Sequence, residues 1–555
     1  MTPSAGSAKT PRMTELSAPA EARAQRAAIT DDAFDRLIRL PWRKGLVAII
    51  AGLAASFLLF GYATVYWRNA DMDFMVIYNA LVMNDGRPQH FFDHTAYLTI
   101  LTVKSWFSLL HGIGLLDAWT LPAIPKASDS AGFDSAMTQA VRAGRVLAFL
   151  IAAACVAIFA GLVRAIVRDW RVAMLSVLAF ALSGGIAVHS RILRSELIAA
   201  CPVIFALMIM MIAGRRASRL RPLALAAASA LCVLGLQNKV QAILLIGLLP
   251  LVILPFGSMR SASVAFWQNT RLSWLLVIMA GLVACAAAFA AWPLAVTGFD
   301  RQLLDAAGFH PLLLGRYGVY QLALIAFVVA AMFAYAALWR VSLAETLATI
   351  AAVGAGAALT LLLLNVAYHS NNVVAVFNPL EKMLFFADPN TADAAHGSGL
   401  GAMLLLLQGL GSVLARYTFV LHSSARPTVF LTWLIIPGMV YAWRRGERRA
   451  ALQALALIFA AIAIDTLGVR RGLKSEYFIF TDPLIILAGA VLLDRLRDLR
   501  FHKWAYPIGL ALIVLHVGIG QSEPIKYALK RTGPQSVCEW NGYYMPLLAL
   551  PWCPS

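Results

Sequence analysis

An all-α polytopic membrane protein is the fold class that this chain predicts, on three observations. Sixty per cent of its 555 residues are apolar. Only 13% are charged, against ~25% in a typical soluble domain. The apolar residues gather in runs near the ~20 residues that cross a ~30 Å hydrocarbon core. A soluble protein of this composition would expose large apolar patches to water. A disordered chain needs low hydrophobicity and high charge, the opposite of the mean hydropathy of +0.74 seen here.

The N-terminal segment 1–44 is rich in Ala, Ser, Thr and Pro, then basic through Arg36, Arg39, Arg43 and Lys44. It is too long and polar for the start of a cleaved signal peptide. The first span, 45–67, is therefore expected to be an uncleaved anchor with its N-terminus in the cytoplasm. Twelve further spans are placed at 139–163, 172–188, 197–214, 222–236, 240–257, 272–292, 316–339, 346–366, 427–443, 450–467, 478–494 and 504–520. Thirteen crossings make 45–520 one transmembrane domain and leave the tail 521–555 outside. With alternating sides, every inner loop is basic: Arg164, Arg168 and Arg171; Arg215, Arg216, Arg219 and Arg221; Arg260 and Arg271; Arg340; Arg444 to Arg449; Arg495 to Lys503. That is the positive-inside pattern. It accounts for the net charge of +18 without nucleic acid as a partner. The stretch 399–421 is apolar enough to cross, but counting it would put two Arg-rich loops outside. It is read as an interfacial or re-entrant element of a long external region, 367–426.

The first external loop, 68–137, carries two mixed apolar stretches, 74–84 and 91–114, with Tyr78, Phe91, Phe92, Tyr97, Trp106 and Phe107. They are expected to form helices lying along the interface. Four of the six cysteines lie in apolar runs. Cys538 and Cys553 share the external tail, where a disulfide between them can persist. His90 and His94 lack the Glu of a zinc-protease helix and any evident third ligand.

Two features could carry chemistry. Asp71-Met72-Asp73 follows the first span at the membrane surface. One carboxylate there can take a proton from a hydroxyl, while the other orients it or holds a divalent cation. Against the positive-inside bias, Arg191 and Arg194 sit in an external turn beside His189 and Glu196. Lys239 lies between two spans, and Lys474 and Tyr477 precede a late one. Clustered external cations suit an anionic phosphate. The plainer reading of each is contact with lipid headgroups or pairing with Glu196 and Glu476, Arg194 with Glu196 first. His189, Glu196 and His369 are further candidates on the acceptor side.

These residues resemble the GT-C superfamily, integral-membrane glycosyltransferases that use polyprenyl-phosphate-linked sugars. The resemblance rests on the acidic pair after the first span and on a first loop with two helices. Gly86-Arg87-Pro88, the turn HSRILRSE and the late KSEYFIFTDPLIILAGAVLL follow in the same order. The chain is similar to bacterial members of the protein O-mannosyltransferase, aminoarabinose and galacturonosyl transferase type, many of which carry Asp-Glu where this chain has Asp71-Met72-Asp73. The resemblance implies inverting transfer of a sugar from the lipid phosphate to an acceptor hydroxyl of a glycan, lipid or protein. The reaction would occur on the periplasmic face of a bacterial inner membrane, in building the cell envelope. Asp71 or Asp73 would be the base, and a divalent cation is a possible cofactor. Two other readings fit parts of the sequence. A membrane polysaccharide polymerase or ligase would use the external histidines. A transporter or flippase of lipid-linked sugars would place charge at midplane, whereas the spans hold little beyond Asp465 and Asp482 near their ends.

Overall fold

The computed structural model describes residues 40–66, 70–87, 96–215, 218–257, 263–268, 270–297, 318–368, 400–418, 428–468, 475–495 and 502–529. Among these residues the protein is helices and short turns, with no strand. α1 (Leu40–Phe57) continues into a π-helical turn, Leu58–Tyr62. α2 (Ala70–Asn84) and α3 (Tyr97–Gly112) come from the first loop. Then follow α4 (Ser130–Ile166), α5 (Trp170–Ala181), α6 (Gly184–His189), α7 (Glu196–Arg215), α8 (Arg221–Asn238) and α9 (Ala242–Ile253). The later elements are α10 (Arg271–Thr297), α11 (Gly318–Leu338), α12 (Leu343–Tyr368), α13 (Leu400–Thr418), α14 (Val429–Arg444), α15 (Arg448–Gly468), α16 (Asp482–Arg495) and α17 (His502–Leu529).

Six of these are long and apolar enough to cross a membrane: α1 with its π turn, α4, α7, α10, α12 and α15. Shorter apolar helices overlap five more of the expected spans, while α8 and α16, at 222–236 and 478–494, fall in neither group, so the count of thirteen is not reached among the described residues. One expected span is broken. Residues 172–188 form α5 and α6, separated at Leu182 and Ser183. Ser183 is the cause, since its hydroxyl accepts the amide of Ile186 at 3.4 Å and caps a new helix. At 12 residues, α5 is only ~18 Å long.

The helix ends sort into two groups. Arg215 donates to the carbonyl of Ile166 at 2.6 Å. The amides of Arg168 and Asp169 donate to Asp494 at 2.8 and 2.9 Å, and Arg449 donates to the carbonyls of Pro255 and Phe256. These contacts gather the end of α4, the start of α5, the ends of α7, α9 and α16, and the start of α15. All belong to the loops expected inside. The middle of α4, the start of α7 and the end of α8 meet the π turn, α6 and the 3-10 turn Ser475–Phe480, as described below. With α7 at 20 residues, the two groups stand ~30 Å apart.

Two apolar cores follow from this layout. The larger runs through α1, α4, α5, α7, α9, α15 and α16 around Phe159, Phe180, Met208 and Leu487. The second belongs to the first loop: Phe74, Ile77, Tyr78 and Leu81 of α2 pack with Ile100 and Phe107 of α3 and with Val141 of α4. The first-loop stretches are thus helices as expected. α2 differs from an interfacial helix, because its apolar side chains are spent on this lobe. α3 keeps Leu109 exposed, and Ile113 beyond its end is exposed too. α13 occupies most of 399–421. Its Tyr417 hydroxyl donates to Asp465 near the end of α15 at 2.9 Å, on the side away from the basic end.

Candidate functional site at the turn between α6 and α7

Residues 190–195 connect α6 to α7 at the seam of the two cores. Leu193 belongs to the first-loop core and Ile186 and Leu197 to the bundle core. Three sets of polar contacts converge on this turn.

The first holds Asp73. It is fully buried. One of its oxygens accepts from Arg145 of α4 through Nε at 2.9 Å and Nη2 at 2.8 Å. The other accepts the amide of Leu193 at 2.6 Å. Arg145 also donates to the carbonyl of Thr64 at 2.6 Å and that of Gly61 at 3.3 Å. One buried ion pair therefore joins the π turn after α1, the start of α2, the middle of α4 and the 190–195 turn. Sequence reasoning missed Arg145. Its signal was available: two arginines, Arg142 and Arg145, inside the outer end of the apolar run 139–163.

The second set surrounds Glu196, also fully buried. Lys239 donates to it at 2.5 Å. Arg194 lies 3.3 Å from it and 3.4 Å from Glu476. The Lys239 ammonium stands 5.6 Å from the centre of the Tyr477 ring. His189 bonds the carbonyl of Gly185 through Nδ1 at 2.6 Å. Its Nε2 is 3.7 Å from Glu196, beyond hydrogen-bond range. Asn238, at the end of α8, locks this group to the first loop. It accepts from the amide and hydroxyl of Thr99 at 3.0 Å each and donates to the carbonyl of Ser195 at 2.6 Å. Two cations and two carboxylates balance here, so Arg194 and Lys239 are engaged within the protein.

Arg191 is the third set, and it differs. It is 3% exposed. Its Nη2 donates to Ser56 and, at 2.5 Å, to Gln521 of α17, and its guanidinium stands 5.3 Å from the centre of the Phe60 ring. Among the described residues, Nε and Nη1 make no hydrogen bond and no carboxylate pairs with it. Burial pushes the guanidinium down to about 10, which leaves it charged at neutral pH. The fit is close: a Cβ on Gly61 would lie 3.0 Å from the Cβ of Arg191. Glycine there lets the π turn reach this arginine.

The structure thus brings together Asp73, His189, Arg191, Arg194, Glu196, Lys239 and Tyr477, residues drawn from positions 73 to 477. Asp71 lies in the first turn of α2, and its side chain is outside what the structure describes. Lys474, His369, Cys538 and Cys553 also lie outside the described residues. No group of three or more His, Cys, Asp or Glu among the described residues is arranged to hold a metal ion.

No protein-family model matches this chain, and no curated protein matches it. Among solved structures, an Archaeoglobus fulgidus oligosaccharyltransferase in complex with zinc and sulfate aligns at 13% identity and a TM-score of 0.45, over 90% of this chain and 55% of that one. The archaeal oligosaccharyltransferase AglB from Archaeoglobus fulgidus, in complex with an inhibitory peptide and a dolichol-phosphate, aligns at 14% and 0.46, over 93% of this chain and 61% of that one. The chain therefore spans little more than half the length of these structures.

Proposed function

We propose that this protein is a membrane glycosyltransferase of the GT-C type. It would take a sugar from a polyprenyl-phosphate donor and give it, with inversion, to an acceptor hydroxyl at the end of the bundle opposite the basic loops. The observation that carries the reading is Arg191: a buried guanidinium with two nitrogens, Nε and Nη1, uncommitted and no carboxylate of its own among the described residues. A buried cation without a partner is costly, and a phosphate would complete it with charge-assisted hydrogen bonds.

The same turn supports a carboxylate as the base. Leu193, two residues from Arg191, is bonded to Asp73, and two residues span at most ~7 Å. Asp73 is occupied by Arg145 and the Leu193 amide, which makes it a positioning residue. The base is then Asp71, in the same first turn of α2. In the step, the acceptor oxygen attacks the anomeric carbon, Asp71 takes the hydroxyl proton, and the bond from sugar to phosphate oxygen breaks. Arg191 stabilises the charge that develops on the departing phosphate. Phosphate leaves without acid assistance. Arg194, Lys239 and Tyr477 hold the wall of the site around Glu196.

The test is a transfer assay with purified full-length protein and a panel of radiolabelled polyprenyl-phosphate sugars. At least one donor is expected to support transfer. Asp71→Asn is expected to lower turnover ~10²–10⁴-fold with donor binding retained. Arg191→Gln is expected to weaken donor binding at least ~10-fold. Transfer at wild-type rates by both variants would favour the transporter reading.

A further inference from the structure

A second feature lies at the other end of the molecule and stands independently of the transfer reaction. Between α8, α10 and α12 runs an apolar groove of about 520 Å³. Its floor is made of small residues, Ala226, Ala352 and Gly356 among them. Gly356 explains why the floor is shallow: a Cβ there would stand 2.4 Å from the carbonyl oxygen of Ala226, so α12 and α8 touch through their backbones. Met279 and Leu359 on the rim are 51% and 44% exposed. Apolar side chains exposed along membrane-crossing helices face hydrocarbon, so this groove opens toward lipid.

The mouth is different in kind. α8, α10 and α12 all begin here, at Arg221, Arg271 and Leu343. Trp267 is buried at the mouth. Its indole donates to the carbonyl of Arg219 at 3.3 Å, and its own carbonyl accepts the Ser342 hydroxyl at 2.5 Å. The 3-10 turn Ala265–Trp267 thereby fixes the segment that carries Arg219, whose guanidinium stands 5.3 Å from the centre of the Phe266 ring. No carboxylate lines the groove, and none among the described residues is paired with Arg219. Trp and Arg side by side at helix starts mark headgroup depth. From Ala348 to Leu359 the groove follows α12 for twelve residues, whose rises of ~1.5 Å sum to ~16 Å, the depth of one leaflet of a ~30 Å hydrocarbon core.

We propose that this groove is a binding site for an anionic phospholipid of the leaflet at the basic end, its acyl chain on the Ala226–Ala352–Gly356 floor and its phosphate on Arg219. Charge complementarity selects the headgroup, and the groove's length and apolar lining select a lipid tail over free phosphate.

Full-length protein in mild detergent, offered equal amounts of phosphatidylglycerol and phosphatidylcholine of one chain length, provides the test by native mass spectrometry. Phosphatidylglycerol is expected to be retained about tenfold over phosphatidylcholine, the effect of one charge-assisted contact. Arg219→Gln should bring the two lipids to parity. Ala352→Phe, which fills the floor, should lower retention of both. A phosphatidylglycerol with a photoreactive tail should crosslink the wild-type chain at Met279 or Leu359, which locates the site even if the filled variant does not fold. Equal retention by the wild type, an unchanged preference in Arg219→Gln, or crosslinks confined to other helices would overturn the proposal.

Discussion

Asp73 and Asp71 are two residues apart and are expected to fail in different ways when changed. Asp73 sits against Arg145 with both side chains 1% exposed. Replacing it with Asn keeps an acceptor for the Leu193 amide but leaves the guanidinium buried without its counter-charge. Breaking a buried pair from one side costs ~3–5 kcal/mol. Asp73→Asn should therefore lower the thermal unfolding midpoint in detergent markedly. Adding Arg145→Met should restore much of the loss, because the orphaned charge is then gone. Asp71→Asn should leave the midpoint near wild type and act on turnover alone. A stable Asp73→Asn protein with abolished transfer would move the chemistry to Asp73. From sequence either aspartate could be the base, Asp71 being preferred only on the family resemblance. Only the packing of α4 against the turn separates them, because Arg145 lies 72 residues away in the chain.

At the scale of elements, the break between α5 and α6 positions the site. α6 lies against the 3-10 turn Ser475–Phe480, and at Gly185 a Cβ would stand 3.0 Å from the backbone of Ile479. This approach sets Tyr477 facing Lys239 and sets Glu476 beside Arg194. Gly185→Ala is expected to push the two elements apart and destabilise the protein by ~1–3 kcal/mol, the usual cost of overpacking. It should also weaken donor binding. Thermal unfolding and donor titration of the same preparation check both, and an unaltered midpoint would mean that the 3-10 turn yields freely. The legibility of these elements from sequence varied for physical reasons. Apolar runs and basic loops marked α1, α4, α7, α10, α12 and α15 well, because membrane crossing constrains length and charge directly. The α5–α6 break was written in Leu182-Ser183-Gly184-Gly185, a helix-capping serine followed by glycines. It was overridden by the apolar average of the whole run. Partners of the candidate site were legible as an excess of external charge. Which cation stays uncommitted was not, since Arg191 and Arg194 differ only in the elements that reach them.

Across the whole molecule, the two groups of helix ends define its orientation. The basic group brings Arg164, Arg168, Arg215, Arg449 and Arg495 to one end. There, Arg164 and Arg215 donate to backbone carbonyls such as those of Val167 and Ile166. The other group holds the Asp73, Glu196 and Arg191 contacts. Lys and Arg near helix ends are retained on the cytoplasmic side, so the basic end should face the cytoplasm and the candidate site the periplasm. Reporter fusions test this at two points that the structure separates. A fusion after Arg449, beside the Pro255 and Phe256 carbonyls, should report cytoplasm. One after Leu529, past the Gln521 contact with Arg191, should report periplasm. The pair also decides the role of α13. If 399–421 adds one crossing, as the sequence alone would allow, both reporters reverse together, against the contacts that hold Arg449 at the basic end. The contact of Tyr417 with Asp465 argues for the unreversed result. It holds the end of α13 at the side away from the basic loops, where a re-entrant element of the 367–426 region has to return.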